Sequence, residues 1–133
     1  MKILYISNYF FAPDLALRMK NEGHEVFVAL KDPNDILKGT LKRIDFDKRF
    51  QFIKSLDKDK DLIVYDDKVE GEPADIRKYG YSVIGGCKKT DKSELDRLFS
   101  NKVAETCGML VPDVHKLDSL DEIQAFIKEH PGK

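Results

Sequence analysis

A three-layer α/β sandwich on a mostly parallel sheet is the fold class this sequence predicts, and three observations predict it. Four short apolar runs stand out: Ile3-Leu4-Tyr5-Ile6, Val26-Phe27-Val28-Ala29-Leu30, Leu62-Ile63-Val64-Tyr65 and Tyr81-Ser82-Val83-Ile84. They are continuous rather than alternating, as strands buried on both faces of a parallel sheet require. Segments with helical spacing lie between them, and such strand–helix–strand alternation builds right-handed βαβ units with helices on the sheet faces. The 133 residues are enough for one domain with a real core.

Each helical segment has its own signal. Ala12, Leu15, Ala16 and Met19 fall at i, i+3, i+4 and i+7, and Gly23 is placed to end that helix. From Asp32 to Thr40 the turn chemistry of Asp32-Pro33-Asn34 and Lys38-Gly39 reads as an excursion before a second helix. That helix carries Phe46, Phe50, Ile53 and Leu56 on one stripe and closes at the charged run Asp57-Lys58-Asp59-Lys60. A third helix spans Pro73 to Tyr79, with Pro73 in its first turn and Gly80 after its end. Beyond Pro112 a short strand is expected over Asp113 to Leu117. Ser119 followed by Glu122 is then a capping-box signature for a last helix bearing Ile123, Phe126 and Ile127. The closing His130-Pro131-Gly132-Lys133 reads as a Pro-Gly turn leading toward a further element.

Composition excludes several classes. Lys plus Arg number 23 against 24 Asp plus Glu, a net charge of −1, so no basic face for nucleic acid is implied. The opening MKILYISNYFFAP has no signal-peptide pattern, and no stretch approaches the ~20 apolar residues of a membrane span. A cytoplasmic protein without membrane partners is expected. Cys87 and Cys107 have no metal spacing and read as two reduced thiols.

Several residues are placed to carry chemistry. The first strand-to-helix loop, Ser7 to Pro13, reads SNYFFAP, with no glycine where a dinucleotide site has G-x-G-x-x-G; a nicotinamide or flavin site is disfavoured. Its aromatics Tyr9, Phe10 and Phe11 either wall a ligand cleft or pack on a neighbouring element. Asp66 and Asp67 follow the third apolar run, at the carboxyl edge where open α/β sheets bind ligands. They read either as a Mg²⁺ or phosphoacceptor pair or as a solvated turn, and the first loop supplies no acid to complete a phosphoacceptor site. His24, His115 and His130 are isolated.

Lys102 admits two placements. In a single helix from Glu94 to Cys107 it interrupts the stripe Leu95, Leu98, Phe99, Val103 and Thr106, where it would have to reach solvent along its stem. With a break at Ser100-Asn101 it lies in a first turn, favourable when an anion docks there.

The order Val83-Ile84-Gly85-Gly86, then Ser100-Asn101-Lys102, then Gly108-Met109-Leu110-Val111-Pro112 resembles the ATP-grasp ligases similar to glycinamide ribonucleotide synthetase (phosphoribosylamine–glycine ligase). Upstream, Asp61-Leu62-Ile63-Val64 is similar to that family's "DLVV" strand. The resemblance implies a Rossmann-like pre-ATP-grasp domain over residues 1–90. Linker helices and the first elements of an ATP-grasp domain follow over 91–133, and the remainder of that domain lies C-terminal to Lys133. It also implies a parent enzyme of purine biosynthesis that uses ATP and Mg²⁺ to form an acyl phosphate from a small carboxylate, which a small amine then attacks. By itself this stretch would be inactive and bind nucleotide poorly.

In the family the triplet lysine contacts nucleotide phosphate, a position matched by Lys102. Asn8, Tyr9, Asp66, Asp67, Gly85 and Gly86 are the substrate-side positions. The family's glycine-rich first loop is SNYFFAP here, and its Gly-Pro-Glu is Tyr65-Asp66-Asp67, so the resemblance does not carry the substrate over. Two other readings of the residues stay open: the N-terminal domain of a GT-B-type glycosyltransferase, favoured by MKILYISNYFFAP and Gly23-His24-Glu25-Val26, and a stand-alone flavodoxin-like binding or regulatory module.

Overall fold

A computed structural model describes residues 1–69 and 71–131; Gly132 of the expected Pro-Gly turn lies outside the described residues. Its strands are β1 (Lys2–Ser7), β2 (Glu25–Leu30), β3 (Lys42–Asp45), β4 (Leu62–Tyr65) and β5 (Ser82–Ile84). They form one sheet in the order β3-β2-β1-β4-β5, and every pairing is parallel. This is the doubly wound Rossmann order, not the 2-1-3-4-5 order of flavodoxin-like modules. Its helices are α1 (Pro13–Asn21), α2 (Arg49–Ile53), α3 (Glu72–Lys78), α4 (Lys88–Leu95), α5 (Arg97–Thr106) and α6 (Leu120–Glu129). Two compact units result, Met1–Leu95 and Asp96–Lys133.

In the first unit the continuous apolar runs serve both faces of the sheet, because successive side chains point to opposite sides. Ile3 and Tyr5 of β1, Val26, Val28 and Leu30 of β2 and Val64 of β4 pack with Phe10, Leu41 and Ala16 of α1. Leu4, Ile6, Ala29, Ile63 and Tyr65 face the other way, onto Ile53 of α2, Leu56 and Ile76 of α3. These two clusters are the two interlayer cores of a three-layer sandwich. At the end of α1, Gly23 takes φ +94°, a left-handed conformation that glycine adopts without a Cβ penalty.

Four expectations need correction. Between the excursion over residues 32–40 and the second helix, Lys42-Arg43-Ile44-Asp45 forms a strand that the apolar runs do not predict. As the edge of the sheet it needs little apolar content, and charge there blocks further pairing. The stripe from Phe46 to Leu56 is a 3-10 turn (Phe46–Lys48) followed by α2, and buried Leu56 lies just past the helix. The run ending in β5 is not buried on both faces, because β5 forms the opposite edge and only Val83 is half-buried. Asp113 to Leu117 forms no strand; among the described residues no neighbouring strand is there to take its hydrogen bonds.

In the second unit, α6 begins as its capping signature implies. Ser119 Oγ accepts from Glu122 N at 3.2 Å, while the Glu122 carboxylate reaches back to Asp118 N at 2.8 Å. His115, Phe126 and His130 stack, with the Phe126 and His130 ring centroids 4.2 Å apart. No described residue of this unit is buried.

Candidate functional site

Strand order reverses between β1 and β4, so their carboxyl ends flank the crevice where open α/β sheets take ligands. Three of the candidate residues meet there. Asp67 Oδ2 accepts from Asn8 N at 2.9 Å, and Asp67 Oδ1 accepts from Asn8 Nδ2 at 3.1 Å. Asn8 Nδ2 also donates to Lys68 O at 2.9 Å, and Ala12 N donates to Asp66 Oδ2 at 3.1 Å. Burial raises the Asp67 carboxyl above its ordinary value, against the pull of the Asn8 amide. The Tyr5 hydroxyl donates to the Ala12 carbonyl at 3.2 Å, and buried Asp66 Oδ1 is without a hydrogen-bond partner. Burial first, and Asp66 second, push the Tyr5 phenol well above its ordinary range.

The aromatics of this loop divide their roles. Phe10, at φ +64° and with its N–H held by Ser7 Oγ at 2.6 Å, turns inward and packs edge-on against Tyr5. Tyr9 and Phe11 are exposed, their ring centroids 5.6 Å apart. Tyr9 lines the mouth of an open cleft of about 1520 Å³. That cleft runs along α2 and α3 and is walled by Phe50, Ile76, Tyr79 and Tyr81, with Lys31 and Lys54 at its margins.

Sequence reasoning missed the polar centre of the cleft. Arg49 and Glu72 pair through Nε–Oε1 at 3.1 Å and Nη2–Oε2 at 3.0 Å, and the Tyr65 hydroxyl donates to Glu72 Oε1 at 2.6 Å. The guanidinium lies 3.9 Å from the Phe46 ring centroid and 4.3 Å from that of Phe50. Burial, then Glu72, push the Tyr65 phenol far above its ordinary value. The available signal was Arg49 lying between Phe46 and Phe50 on a helical stripe.

Gly85 and Gly86 lie in the turn after β5, where the register Val64↔Ile84 brings Gly85 beside Tyr65, the residue before Asp66. A Cβ on Gly85 would stand 3.0 Å from Tyr65 Cβ and 3.1 Å from the Pro73 ring; one on Gly86 would stand 2.7 Å from Thr90 Oγ1. Arg77 of α3 donates to the carbonyls of Val83 and Gly86, both at 3.1 Å, and to that of Gly85. The next residue, Cys87, is half-buried, and the Thr90 and Lys89 amides draw its thiol below the ordinary range. Neither Cys87 nor Cys107 is in a disulfide.

Lys102 belongs to the second unit and takes the first of its two placements, within a helix body with access to solvent, although that helix starts later than Glu94. The chain breaks at Asp96, not at Ser100-Asn101: Asp96 Oδ1 accepts from Phe99 N at 2.9 Å, and Ser100 N already bonds Asp96 O at 2.9 Å. The carboxylate caps the helix before Ser100 can. Lys102 is therefore in the body of α5 and exposed. Among the described residues no group of three or more His, Cys, Asp or Glu could hold a metal ion, and no helix is long and apolar enough to cross a membrane.

The fold and the crevice define a class, the Rossmann-like three-layer α/β sandwich with a parallel sheet. No protein-family model matches the chain, and no curated protein matches it. Among solved structures, the chain is similar in fold to N5-carboxyaminoimidazole ribonucleotide synthetase from Thermotoga maritima, with a TM-score of 0.70 and 15% sequence identity. The likeness covers 98% of this chain and 36% of that one, so the chain spans little more than a third of that enzyme's length.

Proposed function

We propose that the chain is the N-terminal, substrate-side portion of an ATP-grasp carboxylate–amine ligase, related in chemistry to the ribonucleotide ligases of purine biosynthesis and inactive by itself. The observation that carries this reading is the fold likeness to a ribonucleotide synthetase over 98% of the chain. In this reading residues 91–133 are linker helices and the first elements of the ATP-grasp domain, and the parts that enclose ATP and Mg²⁺ lie C-terminal to Lys133. The second unit supports it. Leu98, Val103, Leu120, Ile123 and Ile127 of α5 and α6 are exposed, a surface suited to being covered within a larger domain.

Lys102 contacts a nucleotide phosphate in this reading. Its exposure on α5 leaves the ammonium free to reach an anion and gives it no part in a core. In the parent enzyme, Lys102→Ala removes one charge-assisted contact, about 1.5–3 kcal/mol, and so weakens ATP binding roughly 10- to 150-fold. The thermal transition should not move. Calorimetric titration with ATP and a thermal scan check both; unchanged affinity removes the role of Lys102. The ligase reading is tested separately, by ADP release that requires a carboxylate and an amine together. A parent protein that neither binds nor turns over ATP overturns it.

A further inference from the structure

The β1–α1 loop is where a Rossmann-like unit offers backbone N–H groups to a ligand's phosphate. Here three of those groups already have anionic or hydroxyl acceptors. Asn8 N goes to Asp67 at 2.9 Å, Phe10 N to Ser7 Oγ at 2.6 Å and Ala12 N to Asp66 at 3.1 Å. The Asn8 side-chain amide is taken by Asp67 Oδ1 and Lys68 O. Two carboxylates from the end of β4 thus stand where an incoming anion would be received.

We infer that Asp66 and Asp67 are specificity-determining residues that fill the anion position of the β1–α1 loop from within, so that the group a substrate presents to this edge is not a phosphate. Two physical effects act together. A phosphate would have to displace acceptors that are covalently part of the fold and so are present at high effective concentration. It would also have to approach two like charges at a partly buried site. A neutral or cationic group, such as an amine, meets neither obstacle. The inference stands on the loop geometry; as a statement about substrate it rests on the ligase reading, whose substrate class it narrows to molecules that keep any phosphate away from the β1/β4 crevice.

Amide NMR of the isotope-labelled chain, titrated with inorganic phosphate and with ribose 5-phosphate, tests it independently of ATP turnover. The amides of residues 8–12 should not move saturably at millimolar ligand in the wild type. In Asp67→Ser, which frees the Asn8 backbone and side-chain amides, phosphate affinity at this loop should rise roughly tenfold or more, the size of a charge-assisted hydrogen bond. Saturable movement in the wild type overturns the inference, and so does a folded variant that gains no affinity. Should the variant fail to fold, hydrogen exchange in the wild type decides. Protected Asn8, Phe10 and Ala12 amides support the internal acceptors, and fast exchange at these three overturns them.

Discussion

Removing Glu72 isolates the energetics of the cleft's polar centre. The Arg49 and Glu72 side chains are each 13% exposed. Losing one partner of a buried pair costs about 3–5 kcal/mol, because the other charge stays desolvated without compensation. Residual exposure places Glu72→Ala at the lower end, about 3 kcal/mol, including the acceptor lost by the Tyr65 hydroxyl. For a unit of this size about 1 kcal/mol moves Tm by roughly 4–8 °C, so a drop of roughly 12–24 °C is expected. All five tyrosines lie in Met1–Leu95 and the chain has no Trp, so tyrosine fluorescence follows this unit's transition alone. Arg49→Met should cost a similar amount, adding the loss of the guanidinium's contacts with Phe46 and Phe50. The double variant Arg49→Met/Glu72→Ala leaves no orphaned charge, and its loss should be well below the sum of the two single losses. A double variant whose loss equals the sum of the singles would refute the reasoning, since the two groups would then contribute independently.

Gly85→Ala should destabilise by about 1–3 kcal/mol in thermal denaturation, because its Cβ would meet Tyr65 Cβ at 3.0 Å and the Pro73 ring at 3.1 Å, and neither can yield without moving β4 or α3. Asp96→Ala should lower the stability of α5 by about 1 kcal/mol, while Ser100→Ala leaves the helical circular dichroism unchanged; the reverse result would return the break to Ser100-Asn101. The Asp67 carboxyl is raised from 3.8 by burial. Its native state therefore holds the proton longer than the unfolded chain, and this contribution is full below 3.8 and falls away as pH rises through the folded value. Asp67→Asn should flatten that part of the stability–pH curve, which paired urea titrations of variant and wild type would detect.

The central fold was legible because β1, β2 and β4 are buried on both faces and must be continuous apolar runs, a pattern that charge or turn residues would have broken. Gly23, Pro73 and Ser119 marked helix ends for the same reason: each satisfies a local backbone need with a local side chain. β3 was not legible, because an edge strand such as Lys42-Arg43-Ile44-Asp45 draws its stability from one partner and carries charge for its open side. The pairing of Arg49 with Glu72 was invisible because it joins residues 23 apart through tertiary packing. Asn8, Asp66 and Asp67 were picked out individually from their position at strand ends. The hydrogen bonds of Asn8 to Asp67 span 59 residues, and that of Ala12 to Asp66 spans 54; both follow only from the parallel pairing of β1 with β4.

What that pairing adds is a constraint on the whole carboxyl edge. A loop N–H donates once, and a glycine-free loop cannot bend its backbone around an external phosphate as a glycine-rich one does. SNYFFAP therefore needs another way to satisfy its amides, and the acids after β4 are in register to supply it. The glycine-free loop and the acids Asp66 and Asp67 at the neighbouring strand end are thus complementary, one supplying donors and the other acceptors. Introducing glycine at Tyr9 alone would loosen the loop without making a phosphate site, because the resident carboxylates would still hold the Asn8 and Ala12 donors.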